Sequence, residues 1–84
     1  MQLILYSKPG CHLCEGLCEK LAQVEGVPFE LEVRDITTRS EWFEAYQYAI
    51  PVLCCVQRDL EVPLPRLSPR APVKQLKTLL LRYA

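Results

Sequence analysis

Leu5-Tyr6-Ser7-Lys8-Pro9-Gly10-Cys11-His12-Leu13-Cys14 is the stretch that decides how this chain is read. The apolar run Gln2-Leu3-Ile4-Leu5-Tyr6 stops at Pro9-Gly10, and two thiols follow, three positions apart, where a helix should begin. A short, continuous apolar run is the pattern of a strand buried on both faces, which places it centrally in a sheet. On a helix, residues i and i+3 share a face with Cβ atoms about 5–6 Å apart. Two sulfurs so placed can bridge or separate with little backbone movement, and the pair can cycle between dithiol and disulfide.

Outward from this segment the chain alternates strand and helix signals. Leu13, Cys14, Leu17, Cys18, Leu21 and Val24 follow the spacing of an amphipathic helix, with Gly26 and Pro28 as its stop. Gly16 lies inside that helix, where glycine costs about 1 kcal/mol relative to alanine. Phe29, Leu31 and Val33 alternate with Glu30, Glu32 and Arg34, a period of two that predicts an edge strand with one wet face. Thr38 followed by Glu41 has the form of a capping box opening a second helix through Trp42, Phe43, Ala45 and Tyr46. Val52–Val56 reads as a buried strand, and Arg58-Asp59 turns it into Leu60-Glu61-Val62. Pro63 and Pro65 confine this last strand to an edge. After Ser68-Pro69 and Pro72, the residues Val73, Leu76, Leu79 and Leu80 make a closing amphipathic helix. The predicted order is βαβαββα, an α/β domain whose right-handed crossover makes the first two strands parallel.

The 84 residues are 50% apolar and 24% charged, an ordinary globular balance for one small domain. Net charge is zero, but residues 1–61 hold all ten acids against five bases, and Arg66, Arg70, Lys74, Lys77 and Arg82 follow unopposed. These cations lack the interleaved aromatics of a nucleic-acid platform and read as a solvated helix face. No stretch approaches the roughly 20 apolar residues of a membrane span. Five cysteines is an odd number, and no secretory leader is expected before them. The expectation is a monomer of the reducing cytoplasm, where a Cys-x-x-Cys pair is catalytic or metal-binding rather than structural.

A free thiol with a pKa of about 8.5 is only about 3% thiolate at pH 7, and the thiolate is the nucleophile. At the amino end of the first helix, Cys11 would meet unpaired N–H groups and a macrodipole that favours an anion by roughly 0.3–2 kcal/mol. Lys8 acts in the same direction and Glu15 against it. His12 either donates to the thiolate or points into solvent; the residues leave both open. Cys14, one turn further in on the apolar face, is the expected resolving thiol. Cys18, Cys54 and Cys55 read as core, because free cysteine is among the most buried residue types and adjacent strand residues point to opposite faces. Trp42, Phe43, Tyr46 and Tyr48 are expected to pack the second helix and the approach to Pro51, with Tyr6 partly exposed.

The segment Leu5–Cys14 resembles the active-site region of glutaredoxins, and Ile50-Pro51-Val52 resembles the second landmark of that family. Still nearer is a small glutaredoxin-like group with a Gly-Cys-x-Leu-Cys-Glu signature and Ile-Pro-Val-Leu. The resemblance implies a thioredoxin-like fold with a four-stranded mixed sheet and helices on both faces. It also implies a thiol–disulfide oxidoreductase, with Cys11 and Cys14 as its catalytic thiols. By the same resemblance Ile50-Pro51 is cis, and Ile50 and Val52 offer backbone to a substrate that is a disulfide-bearing protein or a glutathione mixed disulfide. Where glutaredoxins carry a Gly-Gly turn for glutathione, this chain reads Arg66-Leu67-Ser68-Pro69-Arg70. Ser68 at a helix start and Arg70 beside it are the groups left to hold a carboxylate. No metal is expected, since zinc wants two ligand pairs brought together. The competing readings are a non-catalytic interaction module and an iron–sulfur carrier that shares its cluster between protomers through glutathione.

Overall fold

The computed structural model describes residues 1–84. Its elements are β1 (Gln2–Ser7), α1 (His12–Ala22), β2 (Glu30–Asp35), a 3₁₀ turn (Ile36–Thr38), α2 (Ser40–Tyr46), β3 (Val52–Gln57), β4 (Leu60–Pro63) and α3 (Val73–Tyr83). The sheet order is β2-β1-β3-β4. β1 pairs parallel to β2 and antiparallel to β3, with Leu5 opposite both Val33 and Leu53. β4 returns antiparallel along β3 after a tight turn in which Arg58 and Asp59 both have positive φ, the backbone twist that suits a two-residue hairpin.

The unbroken apolar run of β1 has a direct cause. Leu3 and Leu5 face one side of the sheet, where they join Leu21 of α1, Leu53 and Cys55 of β3, and Leu76 and Leu80 of α3. Ile4 and Tyr6 face the other, with Ile36, Cys54 and the flanking Trp42 and Tyr46 of α2. A strand with helices over both faces has no side left for polar residues. Cys54 and Cys55 fall on opposite sides as predicted, and Cys18 packs at the margin of the larger cluster.

Several local expectations are corrected. α1 ends at Ala22, so Val24 lies beyond it, and Leu13 is 48% exposed instead of inward. Val33 is 54% exposed on the free edge strand. The Thr38–Glu41 capping box does not form. Asp35 instead accepts hydrogen bonds from the Thr37 backbone N–H at 2.9 Å and from its hydroxyl at 2.6 Å, which winds a 3₁₀ turn. The Thr38 hydroxyl is spent on the Asp35 carbonyl, and α2 starts after Arg39 with no side-chain cap. Of the four aromatic residues assigned to packing, Trp42 and Tyr46 cover the sheet, whereas Phe43 and Tyr48 are exposed, Tyr48 at 95%. A seven-residue helix presents one narrow stripe to the sheet, and Phe43 lies off it.

Candidate active site

β1 delivers the chain to a turn closed by the Cys11 N–H on the Lys8 carbonyl, and Gly10 takes the positive φ of 78° that this turn needs. Cys11 is then the N-cap of α1, in extended conformation, and its sulfur accepts the backbone N–H of Cys14 at 3.3 Å. The thiol thus sits where serine or aspartate caps most helices, satisfying one of the unpaired amino-terminal N–H groups. The Cα atoms of Cys11 and Cys14 are 5.3 Å apart and the sulfurs lie within disulfide reach. Cys14 is buried and Cys11 half-buried, the asymmetry expected of an attacking and a resolving thiol. Burial pushes the thiols of Cys18 and Cys54 up, so they stay protonated at neutral pH. No group of three or more His, Cys, Asp or Glu side chains converges anywhere in the chain.

The other predicted site residues divide. His12, Pro51 and Val52 line one groove, together with Leu13. The Ile50–Pro51 bond is cis. The His12 side chain is 94% exposed with Nδ1 3.6 Å from the Glu15 carboxylate, which settles its orientation in favour of solvent. Lys8 is exposed on the turn, and Ile50 packs on the α2 side of the sheet. Arg70 does not line the groove. Nor is Ser68 at a helix start: α3 begins at Val73, and the Ser68 hydroxyl accepts the Arg70 N–H at 3.2 Å within its own loop.

Tyr6, expected to be partly exposed, is 2% exposed. Its ring stacks on Tyr46 at 4.3 Å and meets Trp42 edge-on at 5.8 Å. Its hydroxyl donates to Glu61 of β4 and accepts from Arg34 of β2 at 2.9 Å, and Arg34 pairs in turn with Glu61 at 3.2 Å. This clasp ties β1, β2 and β4 together across the α2 face of the sheet, and it gives a buried phenol its polar partners. Burial first, and the Glu61 carboxylate second, raise the Tyr6 phenol from 10.0 to about 12. The neutral phenol is therefore favoured in the fold. Stability from this source is complete below pH 10 and falls as pH rises toward 12, because the unfolded chain ionises first. We expect the unfolding equilibrium to shift by up to roughly tenfold per pH unit in that window. Urea titrations at stepped pH should show a steep alkaline limb that Tyr6→Phe flattens; an unchanged limb would count against the clasp.

The glutaredoxin-like domain (DUF836) profile matches residues 2–81. The chain belongs to the glutaredoxin-like family. Target protein XcR50 from X. campestris is similar in structure, with a TM-score of 0.66, 28% identity, and coverage of 98% of this chain and 97% of that one. Thioredoxin 1 from Thermosipho africanus TCF52B also superposes at a TM-score of 0.66, at 13% identity, covering 99% of this chain and 93% of its own. That second likeness shows the shared thioredoxin-like fold. No curated protein matches the sequence significantly.

In this glutaredoxin-like chain the groove beside the cysteine loop has residues that the sequence did not single out. Lys20 of α1 donates through Nζ to the carbonyls of Pro69 and Ala71, at 2.6 and 2.7 Å. The Arg66 guanidinium donates to the Ala49 carbonyl, just ahead of Pro51. Both side chains line the groove, with Gly16, Leu64 and Leu67. The proline spacing over residues 63–72 was the available signal for a stiff wall, but nothing local in the sequence says what that wall encloses.

Proposed function

We propose that this protein is a thiol–disulfide oxidoreductase of the glutaredoxin and thioredoxin type. The observation that carries the reading is the pairing of Cys11 and Cys14, with Cα atoms 5.3 Å apart and the Cys14 N–H on the Cys11 sulfur. A hydrogen bond and a helix terminus directed at one sulfur favour its thiolate.

In the reaction, the Cys11 thiolate attacks one sulfur of a substrate disulfide. A Cys11–substrate bond forms, the substrate S–S bond breaks, and the first substrate thiolate leaves and takes a proton from water. Cys14, as its thiolate, then attacks the Cys11 sulfur, releases the second substrate thiolate and closes the Cys11–Cys14 disulfide. Two electrons pass from the protein dithiol to the substrate, and an external thiol reductant restores the dithiol. In this reading the substrate backbone lies along Pro51 and Val52, supported by the cis Ile50–Pro51 bond and by their lining the groove with His12. Protein disulfides and glutathione mixed disulfides both fit this chemistry, in a monomer working in a reducing compartment such as the cytoplasm.

The test is the pH dependence of iodoacetamide alkylation of the reduced protein, followed by mass spectrometry of each cysteine. Cys11 should react first, with a midpoint below the roughly 8.5 of a free thiol. An ordinary midpoint at Cys11, with no turnover of a small disulfide, would favour the interaction-module reading.

A further inference from the structure

The groove does not stop at the cysteine loop. It runs on between α1, α3 and residues 64–72, and the whole cavity encloses about 360 Å3, within the range of roughly 300–1,000 Å3 typical of ligand sites. Leu17, Leu53, Leu64, Leu67, Leu76 and Leu79 line it, together with His12, Leu13 and Pro51 on the side of the cysteine loop.

Gly16 forms part of this wall, and its presence there lacks a cause within the fold. It sits in the interior of α1 without a positive φ, and a Cβ added to it meets nothing within 4 Å. Alanine would fit and would favour the helix. The glycine therefore leaves open a space that the protein does not itself fill. The opposite wall is held from collapsing by Lys20 on the Pro69 and Ala71 carbonyls and by Arg66 on the Ala49 carbonyl. Among the lining residues Lys20 and Arg66 are cationic, and no carboxylate is present.

We propose that this cavity receives a large apolar side chain lying next to the disulfide of a polypeptide substrate, with an acidic neighbour at the cationic rim, and that Gly16 sets the specificity by keeping it open. The proposal rests on the redox reading above and names its substrate class. Glutathione carries no side chain of this kind.

Symmetric disulfide dimers of the short peptides Leu-Cys-Glu, Ala-Cys-Glu and Leu-Cys-Lys test it, with oxidised 2-hydroxyethyl disulfide reporting on the redox chemistry alone. Wild type should reduce the Leu-Cys-Glu dimer with a kcat/KM roughly tenfold or more above that of Ala-Cys-Glu, the scale of burying one leucine side chain. It should also prefer Leu-Cys-Glu to Leu-Cys-Lys, by a margin that narrows as salt is added. Gly16→Leu, which fills the cavity while retaining a good helix former, should bring the Leu-to-Ala ratio to about one. Thermal unfolding of Gly16→Leu and Gly16→Ala checks that both remain folded, and Gly16→Ala, smaller in bulk, should keep an intermediate ratio. Equal rates for the Leu and Ala peptides in wild type overturn the proposal, as does a preference that survives Gly16→Leu or a faster reaction with glutathione disulfide than with the Leu peptide. Failure of wild type to reduce 2-hydroxyethyl disulfide would sink the redox reading itself, and the cavity assignment with it.

Discussion

Cys11→Ser is expected to abolish disulfide reduction, leaving only the uncatalysed rate, while Cys14→Ser should stop the reaction halfway as a stable mixed disulfide on Cys11. The difference follows from the placement of the two sulfurs. Cys11 is half-buried at the helix cap with a backbone N–H directed at it, whereas Cys14 is buried one turn inside α1. A serine hydroxyl at position 11 stays protonated at neutral pH and forms no bond to sulfur, so the first step has no nucleophile. A serine at position 14 leaves that first step intact and removes only the thiolate that would displace the product. The remaining thiols offer no substitute: Cys54 and Cys55 are buried in the sheet, and burial keeps Cys18 protonated. Turnover of 2-hydroxyethyl disulfide, with mass spectrometry of trapped adducts, measures both variants. Wild-type turnover in Cys11→Ser, or an adduct found on a residue other than Cys11 in Cys14→Ser, would reverse the assignment of roles.

The largest effect on stability should come from Leu80→Ala. Leu80 is fully buried among Leu3, Leu5, Leu21 and Leu76, at the junction of α3 with the sheet. Removing its side chain loses apolar burial and leaves a cavity, together worth about 2–5 kcal/mol. At roughly 0.05–0.15 kcal/mol per residue, a chain of this length has about 4–13 kcal/mol in total. The variant should therefore melt at least about 10 °C lower, with a lower urea midpoint and an unchanged m-value. Leu81→Ala is the control. The next residue along the same helix is 52% exposed, and truncating it should change stability by no more than about 0.5 kcal/mol. Similar losses at both positions would mean that α3 is rotated from the register described here.

What could be read from the chain alone follows the range over which the causes act. Both α1 and the redox pair were legible because spacing of three and four residues, a preceding turn and a helix cap are settled among near neighbours. β1 announced its central place through an apolar run that only a doubly covered strand can carry. The Arg58-Asp59 turn and the proline-limited edge of β4 were equally local. The Thr38 cap was misread for the same reason in reverse. Asp35 competes for the same turn through hydrogen bonds of similar strength, and the sequence alone does not rank two adjacent local solutions.

Amino-acid order by itself determined the succession of strands and helices and put two thiols within bridging reach at a helix start, since those features need only torsional preference, periodicity and capping over a few positions. Folding in three dimensions decided the rest. It buried Tyr6 between Arg34 and Glu61, separated Trp42 and Tyr46 from the exposed Phe43 and Tyr48, and opened the space beside Gly16. Desolvation and empty volume belong to surfaces contributed by segments far apart in the chain, as when Lys20 reaches carbonyls about fifty residues away. Neither exists until those segments meet.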